Sequence, residues 1–353
     1  MKLTAALVHY QTPDLAVRAA SALIEDASSA GLGLDLAVVD NGSTADGRRR
    51  LKAVQDLGAR LVEPGRNLGY AGAANLGFAG SDADAFVVVN PDVEVLPGCL
   101  EALTAALEAG AGAAGPRFFW DRPGGFQLPP TERRSRGDAL LRALATRGRP
   151  WRGLALSAWR SHARRCWRAE SPRRCFELSG ALLAVRQDAW ERVGPFDEGY
   201  RLYFEETDWL MRLARTGLRS VYVPGAEAIH AYAQSSKREP RAQGWFEESR
   251  RRFRRRWYGR RYGALLERLA EAIDQPASRG AVSPGDLGRA RWLELSPSPL
   301  GFPAAGHRVE GVSDLDLPED LERRLAPGSY HLTALDDWDR VVGYRQVIRK
   351  PDS

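Results

Sequence analysis

The chain is poor in cysteine, lysine and long apolar runs. Its 353 residues include only three cysteines, Cys99, Cys166 and Cys175. These are too few and too scattered for a disulfide framework or a four-ligand zinc site. Lysine occurs only at Lys2, Lys52, Lys237 and Lys350, although Lys and Arg together number 51. Apolar strand-like cores such as Phe86-Val87-Val88-Val89 fall far short of the ~18–20 residues that cross a bilayer. The apolar stretch after Met1-Lys2-Leu3-Thr4 stops at His9 with no small-residue cleavage site, so no signal peptide is expected. With so few thiols, a reducing cytoplasm is the expected setting. The glycine-spaced segment 66–77 is neither a Gly-Lys-Ser/Thr phosphate loop nor a GxGxxG fingerprint, which argues against a P-loop NTPase or a dehydrogenase.

What is present is ordinary in amount and uneven in distribution. A 44% hydrophobic, 27% charged composition suits a globular protein, and the length allows roughly two domains. The net charge of +6 conceals two basic stretches: residues 117–176 carry +11 and residues 241–262 carry +7, leaving −12 for the rest. The arginine bias reflects coding composition as well as chemistry. The local charge nonetheless favours an anionic partner, whether nucleic acid, a membrane surface or a diphosphate.

The first hundred residues alternate strand and helix patterns. Strands are predicted at 3–8, 34–39, 59–62 and 85–89, with helices at 16–30, 48–57 and 69–80 between them. Such alternation means βαβ units and a mainly parallel sheet. Residues 117–176, rich in Arg and Trp, read as an insertion with one or two helices. The α/β pattern resumes at 176–185, with a helix near 206–216 and a strand at 220–224. A long helical stretch at 243–273 has breaks available at Gly259 or Gly263. After Gln275-Pro276 the composition shifts, and alternating strands at 329–333 and 341–348 indicate a small antiparallel module joined by a linker. The domains are therefore expected at 1–275 and 276–353.

Ligands of open α/β sheets bind beyond the carboxyl ends of the strands, where Asp40 and Asp92 fall. Glu205-Glu206-Thr207-Asp208 begins a helix after the aromatic run 200–204. Each acid alone has a plain explanation: a turn acid after proline, or carboxylates favouring a helix N-terminus. Together they would repel unless a divalent cation or a proton offset the repulsion. The glycine-spaced segment 66–77 lets a helix start approach a ligand and offer amides to an anion, although tight helix–sheet packing explains it equally well. His230 follows a strand; beside convergent carboxylates an imidazole suits Mn²⁺ or Mg²⁺.

Seven motifs then occur in order: Val38-Val39-Asp40-Asn41-Gly42-Ser43, Asn67-Leu68-Gly69-Tyr70-Ala71-Gly72, Val89-Asn90-Pro91-Asp92, Leu178-Ser179-Gly180-Ala181, Val193-Gly194-Pro195-Phe196-Asp197-Glu198, Phe204-Glu205-Glu206-Thr207-Asp208 and His230. This succession, over roughly residues 3–262, resembles the family 2 inverting glycosyltransferases of GT-A fold, especially their rhamnosyltransferase-like branch. The resemblance implies a mainly parallel, helix-flanked sheet and a nucleotide-sugar donor. Asp40 would contact the nucleotide base, flanked by the backbone near His9 and Tyr10. Asn41, Asn67, Gly69 and Ala73 would line the donor site. Asn90-Pro91-Asp92 matches the DXD element with Asn in the first place, so Asp92 would be the main acidic metal contact and Asn90 would reach the ribose. His230 would complete the site for Mg²⁺ or Mn²⁺.

Glu206 matches the catalytic base, with Glu where Asp is usual and Glu205 and Asp208 as fallbacks. Ser179, Gly180 and Ala181 would line the floor near the acceptor. The implied activity is metal-dependent, inverting transfer of a sugar, with deoxythymidine-diphosphate-rhamnose the favoured donor, to a hydroxyl of a cell-surface glycan or polyprenyl-diphosphate-linked acceptor.

Two rivals remain: a non-catalytic nucleotide- or glycan-binding relative, and an Arg-rich nucleic-acid-binding protein, which no recognised motif supports. Phe246, Phe253 and Trp257 share one face of the basic helix, which could pack on the catalytic domain or present its arginines to a membrane at the inner face of the cell envelope. The insertion at 117–176 could shape the acceptor cleft, and its Trp120, Trp151, Trp159 and Trp167 could equally be core or oligomer contacts.

Overall fold

The computed structural model describes residues 1–129, 131–231, 241–270 and 286–350. The chain forms two compact units: residues 1–118, 131–133 and 169–263 make one, and residues 119–130, 134–168 and 264–353 the other.

In chain order the elements begin β1 (Lys2–His9), α1 (Pro13–Ser29), β2 (Gly33–Asp40), α2 (Ala45–Leu51), α3 (Ala53–Asp56), β3 (Arg60–Val62), α4 (Gly69–Phe78) and β4 (Ala85–Val89). Then come β5 (Val93–Val95), α5 (Cys99–Glu108), β6 (Ala111–Phe119), α6 (Arg136–Ala145), α7 (Arg149–Trp167), β7 (Arg173–Arg174), β8 (Leu182–Arg186) and α8 (Gln187–Val193). The series continues with α9 (Glu205–Arg215), β9 (Arg219–His230), α10 (Ala242–Trp257), α11 (Arg260–Ala270), β10 (Trp292–Ser296), β11 (Ala305–Arg308), α12 (Glu319–Arg324), β12 (Gly328–Leu335) and β13 (Val341–Arg349). The helix expected at 48–57 is two shorter ones, the first starting earlier because the Thr44 hydroxyl accepts from the Gly47 amide at 3.2 Å. The predicted long basic helix breaks at Gly259, whose φ of +88° suits glycine. The expected linker at 275–276 and residues 271–273 of that helix lie outside the described residues.

The large sheet of the first unit runs β3-β2-β1-β4-β8-β6-β9-β5, with β7 beside β9. Strands β1 to β4 pair in parallel and β8 returns antiparallel against β4. All five residues of β4 are buried, as expected of an apolar strand covered on both faces. Register then positions the site. His9 pairs with Asp40 across β1 and β2, and Leu7 with Val89 across β1 and β4. The residues that end these three strands therefore reach one edge. Helix α4 lies tight on β1: a methyl group at Gly77 would stand 2.6 Å from Ala6 Cβ.

The second unit holds an antiparallel sheet of order β11-β10-β12-β13. It also takes in α6 and α7, so the insertion groups with the C-terminal strands and not, as the boundary at 275 expects, with residues 1–275. The reason is packing. Trp159 and Trp167 join Trp292 and Phe302 in one buried cluster, with the Trp167 and Trp292 rings stacked at 5.4 Å. Glu294 of β10 receives the guanidiniums of Arg160 and Arg164 at 2.9 and 3.3 Å. Trp120 packs in a second cluster with Tyr330. Three of the four tryptophans singled out above are thus core residues, and Trp151 alone is exposed.

Candidate active site

The edge where β1, β2 and β4 end is built mostly by side chains that brace loops. Asp40, buried at the end of β2, accepts from the Ser43 amide at 2.9 Å, and the His9 ring lies 3.6 Å away. Burial pushes this carboxyl up, but bonds from His9 and Ser43 outweigh it and hold the group below its ordinary range. His9 is wholly buried; its Nε2 accepts from the Thr12 amide at 2.9 Å, and its Nδ1 is 3.2 Å from Ser43 Oγ. Its ring is therefore an internal brace, and only backbone near His9 and Tyr10 is left to meet a ligand. Asn41 is occupied likewise: its Oδ1 accepts from the Leu68 amide at 2.7 Å and its Nδ2 donates to the Gly69 carbonyl at 3.1 Å.

The start of α4 shows why those glycines are there. The Leu68, Gly69 and Tyr70 amides go to Asn41 Oδ1, Asn67 Oδ1 and the Arg201 carbonyl at 2.7, 2.8 and 3.1 Å. Gly69 has φ +77°, and a Cβ there would lie 2.8 Å from the Arg201 carbonyl oxygen. These three amides tie the helix start to its neighbours and do not offer it to an anion, which corrects the sequence expectation. Ala73 is buried in the core facing the sheet.

Asn90 and Asp92 are fixed by two other segments. The Asn90 amide donates to the Ala181 carbonyl at 2.8 Å, and the Ala231 amide to the Asp92 carbonyl at 3.0 Å. Pairing of Val93 with His230 across β5 and β9 then sets Asp92 Oδ1 3.4 Å from His230 Nε2. A carboxylate oxygen beside an imidazole nitrogen is a donor set that fits Mn²⁺ or Mg²⁺. Among the described residues no third His, Cys, Asp or Glu joins them, so the rest of such an ion's shell falls to substrate and water oxygens.

The acids of α9 have three different environments. Glu205 is 5% exposed, and its Oε2 has no hydrogen-bond partner among the described residues. Burial, then the adjacent Glu206, pushes its carboxyl well above the usual range. Glu206 is half-buried; Thr207 Oγ1 donates to its Oε1 at 3.1 Å. Its side chain lies over Gly180 so closely that a Cβ there would meet Glu206 Cγ at 3.0 Å. Asp208 is no fallback base. It is fully buried and bound by Arg212 and Trp257 at 2.9 Å each and by Arg256 at 3.2 Å. The loop before these acids is strained: Tyr203 and Phe204 both have positive φ, +65° and +72°, rare for side chains of this size. The Phe204 ring packs on Phe253 at 5.2 Å and on Phe246 at 5.7 Å, so the apolar face of α10 holds that loop.

One residue missing from the sequence-based site binds it together. The Tyr70 hydroxyl donates to the Gly180 carbonyl at 2.9 Å. Burial, then Glu205, Glu206 and Asp92, pushes this phenol far above its ordinary value, so it remains a donor. The phenol is thus within electrostatic reach of Glu205, Glu206 and Asp92. Its place inside a glycine-rich helix start was the only sequence signal. The site offers a half-buried carboxylate able to take a proton, a second, buried acid beside it, and a carboxylate–imidazole pair able to hold a cation.

Known proteins agree. Residues 9–166 match the family described as "Glycosyl transferase family 2", and residues 145–283 match "Glycosyl transferase family group 2". The N-acetylglucosaminyl-diphospho-decaprenol L-rhamnosyltransferase of Mycobacterium tuberculosis is 36% identical over 218 residues, 58% of this chain and 68% of that relative. Rhamnosyltransferase WbbL of Escherichia coli is 42% identical over 60 residues, 17% of this chain and 22% of its own length. A mannosyltransferase from Pyrobaculum calidifontis, solved with GDP-Man and Mn²⁺, gives a TM-score of 0.45 at 15% identity, over 78% of this chain and 77% of that one. That likeness is too loose to carry an argument. The chain belongs to glycosyltransferase family 2 and is a glycosyltransferase of GT-A fold, on the rhamnosyltransferase-like branch.

Proposed function

We propose that this protein transfers L-rhamnose, with inversion, from its deoxythymidine-diphosphate donor to a hydroxyl of a polyprenyl-diphosphate-linked glycan, with Glu206 as base. The observation that carries this reading is the setting of Glu206: half-buried over Gly180, beside the buried Glu205 and near the Tyr70 phenol that bonds Gly180. The acceptor class is suggested by the mycobacterial relative, whose name specifies a diphospho-decaprenol acceptor.

The chain's residues divide the work. Asp40 faces the nucleotide base from the β2 end, with backbone of residues 9 and 10 beside it. Asn90 reaches the ribose, and Asn41, Asn67 and Gly69 shape the wall around the donor. Asp92 and His230 hold a divalent cation, which when bound offsets the charge of the departing diphosphate. Ser179, Gly180 and Ala181 seat the acceptor. Glu206 takes the acceptor proton as its oxygen attacks the anomeric carbon opposite the diphosphate. One base suffices, and no covalent enzyme intermediate forms.

Two further readings concern location. The three thiols are free, and with a nucleotide-sugar donor they suit the cytoplasm. Among the described residues no helix is long and apolar enough to cross a membrane. On α10 and α11, Arg251, Arg255, Arg260 and Arg261 are exposed and give a peripheral contact for an anionic lipid or diphosphate.

The test is release of nucleoside diphosphate from a panel of nucleotide sugars, with a polyprenyl-diphosphate-linked acceptor and with Mn²⁺, Mg²⁺ or chelator. Turnover should need the rhamnose donor and a divalent ion, and Glu206→Gln should lower kcat about 10²–10⁴-fold. Unchanged turnover in Glu206→Gln would remove the base assignment; equal turnover in chelator would remove the cation.

A further inference from the structure

Glu205 and Glu206 stand between two other acids. Asp197 lies eight positions before Glu205, and Asp208 two positions after Glu206. Helix α10 reaches both. Its Arg252 and Arg256, four positions apart and so on one face, bind Asp197 at 2.9 and 2.7 Å. Arg256 Nε lies 3.2 Å from Asp208 Oδ1. One guanidinium thus joins the two carboxylates that flank the glutamates, using the planar fork of donors that distinguishes arginine from a point charge.

The loop is shaped around this bridge. The Gly199 amide donates to Asp197 Oδ1 at 2.9 Å, and the Tyr200 amide to the Asp197 carbonyl at 3.0 Å. A Cβ at Gly199 would collide with the Arg252 guanidinium, so the missing side chain lets the arginine in. The Tyr200 hydroxyl donates to Asp208 Oδ1 at 3.4 Å. At the loop's start, Asn75 of α4 donates to the Phe196 carbonyl and accepts from the Phe196 amide, both at 3.0 Å. Helix α4 therefore holds one end of the loop and α10 the stretch that leads into the glutamates.

Exposed ion pairs between flexible side chains hold little. This bridge differs, because its Asp208 end is fully buried and its Asp197 end carries two arginines. Without Arg256, Asp208 would still keep Arg212 and Trp257, and Asp197 would keep Arg252. The fold then survives, and what is lost is the tie from the loop to α9 across the glutamates.

We propose that Arg256 is a positioning residue for the transfer reaction: by bridging Asp197 and Asp208 it fixes the backbone between them, and with it the carboxyl of Glu206. This role depends on Glu206 being the base.

Arg256→Gln, Glu206→Gln and the double variant are compared with the wild type by release of nucleoside diphosphate from deoxythymidine-diphosphate-rhamnose, with a polyprenyl-diphosphate-linked acceptor. A reacting group displaced by about 1 Å can cost about 10²-fold. With the other bonds to the loop intact, Arg256→Gln should lower kcat about tenfold and leave the donor KM within about twofold. In the Glu206→Gln background the same change should cost nothing further, because residues that act through one another are not additive. A tenfold loss repeated in that background, or a rise in KM with kcat unchanged, would overturn the role of Arg256. Wild-type turnover in Glu206→Gln would instead remove the base on which that role depends. Amide hydrogen exchange reads the bridge without any reaction: residues 198–206 should exchange about tenfold faster in Arg256→Gln while β1 and β4 keep their rates. Unchanged exchange at 198–206 would overturn the bridge whatever the kinetics show.

Discussion

Two buried glutamates, one in each unit, meet the same physical problem in opposite ways. Glu294 is 2% exposed on β10, where Arg160 and Arg164 reach it. Glu205 is 5% exposed at the start of α9, where its nearest charged neighbour is another acid. A buried carboxylate without a cation is far costlier than one with two. Glu294 is offset by its partners, whereas burial beside Glu206 pushes the Glu205 carboxyl well above its usual range. A buried acid fully matched by opposite charge serves the fold. One left beside another acid, with an unbonded oxygen, serves chemistry.

The largest effect expected from breaking this contrast is on stability. Glu294→Ala leaves buried Arg160 without its carboxylate and Arg164 with Asp339 alone, and should destabilise the second unit by about 3–5 kcal/mol, read as a lower denaturant midpoint with the slope preserved. Glu205→Gln substitutes an uncharged group of the same shape and strands no cation, so stability should move by less than about 1 kcal/mol. Turnover should nonetheless fall at least about tenfold, because the change stands directly beside the proposed base Glu206. Equal destabilisation by both changes would show that the two sites do not differ in kind.

pH sharpens the same contrast. The native state keeps the Glu205 proton to higher pH than the unfolded chain, so this group's contribution falls as pH rises above about 4.3. Asp40, held below its ordinary value, has the opposite slope: its contribution is present at neutral pH and is lost as pH falls below about 3.9. Glu205→Gln should therefore flatten the high-pH side of the stability profile and leave the acid side alone. A smaller loss is expected from Tyr70→Phe, which removes the bond from the phenol to Gly180. One such bond is worth about 1 kcal/mol, so kcat should fall roughly five- to tenfold with little change in the donor KM.

These residues also show what the sequence made legible. The βα alternation could be read because strands covered on both faces are unbroken apolar runs, as in 85–89. The acids at the strand ends could be read because the parallel register fixes where such ends gather. Asp208 could not be told from Glu205 by spacing. What separates them is Trp257, 49 residues further on, donating to Asp208. Tyr70 looked like packing, because its partner Gly180 is 110 residues away. The insertion read as an appendage of the first domain because Arg160 and Glu294 are 134 residues apart, and neither stretch announces the other. Each miss involves a long-range polar pairing, and only the Asp208–Arg212 pair, one turn apart, leaves a local trace.

The smallest expected effect lies in the loop that delivers Glu205 and Glu206. Tyr203 has φ +65°, a conformation that costs a residue with a Cβ about 1–2 kcal/mol and that asparagine tolerates better. Its ring also meets Phe246 edge-on at 5.5 Å, a contact worth about 0.5–1.5 kcal/mol. In Tyr203→Asn the relief and the loss nearly cancel, so stability by denaturant titration should change by less than about 1 kcal/mol. If backbone strain dominates, the variant should be more stable than the wild type with kcat unchanged. A loss above about 2 kcal/mol would instead show the aromatic clasp of α10 holding the loop. The basic helix would then share with Tyr70 the work of placing the base, in contrast to Glu294, whose partners only keep a core neutral.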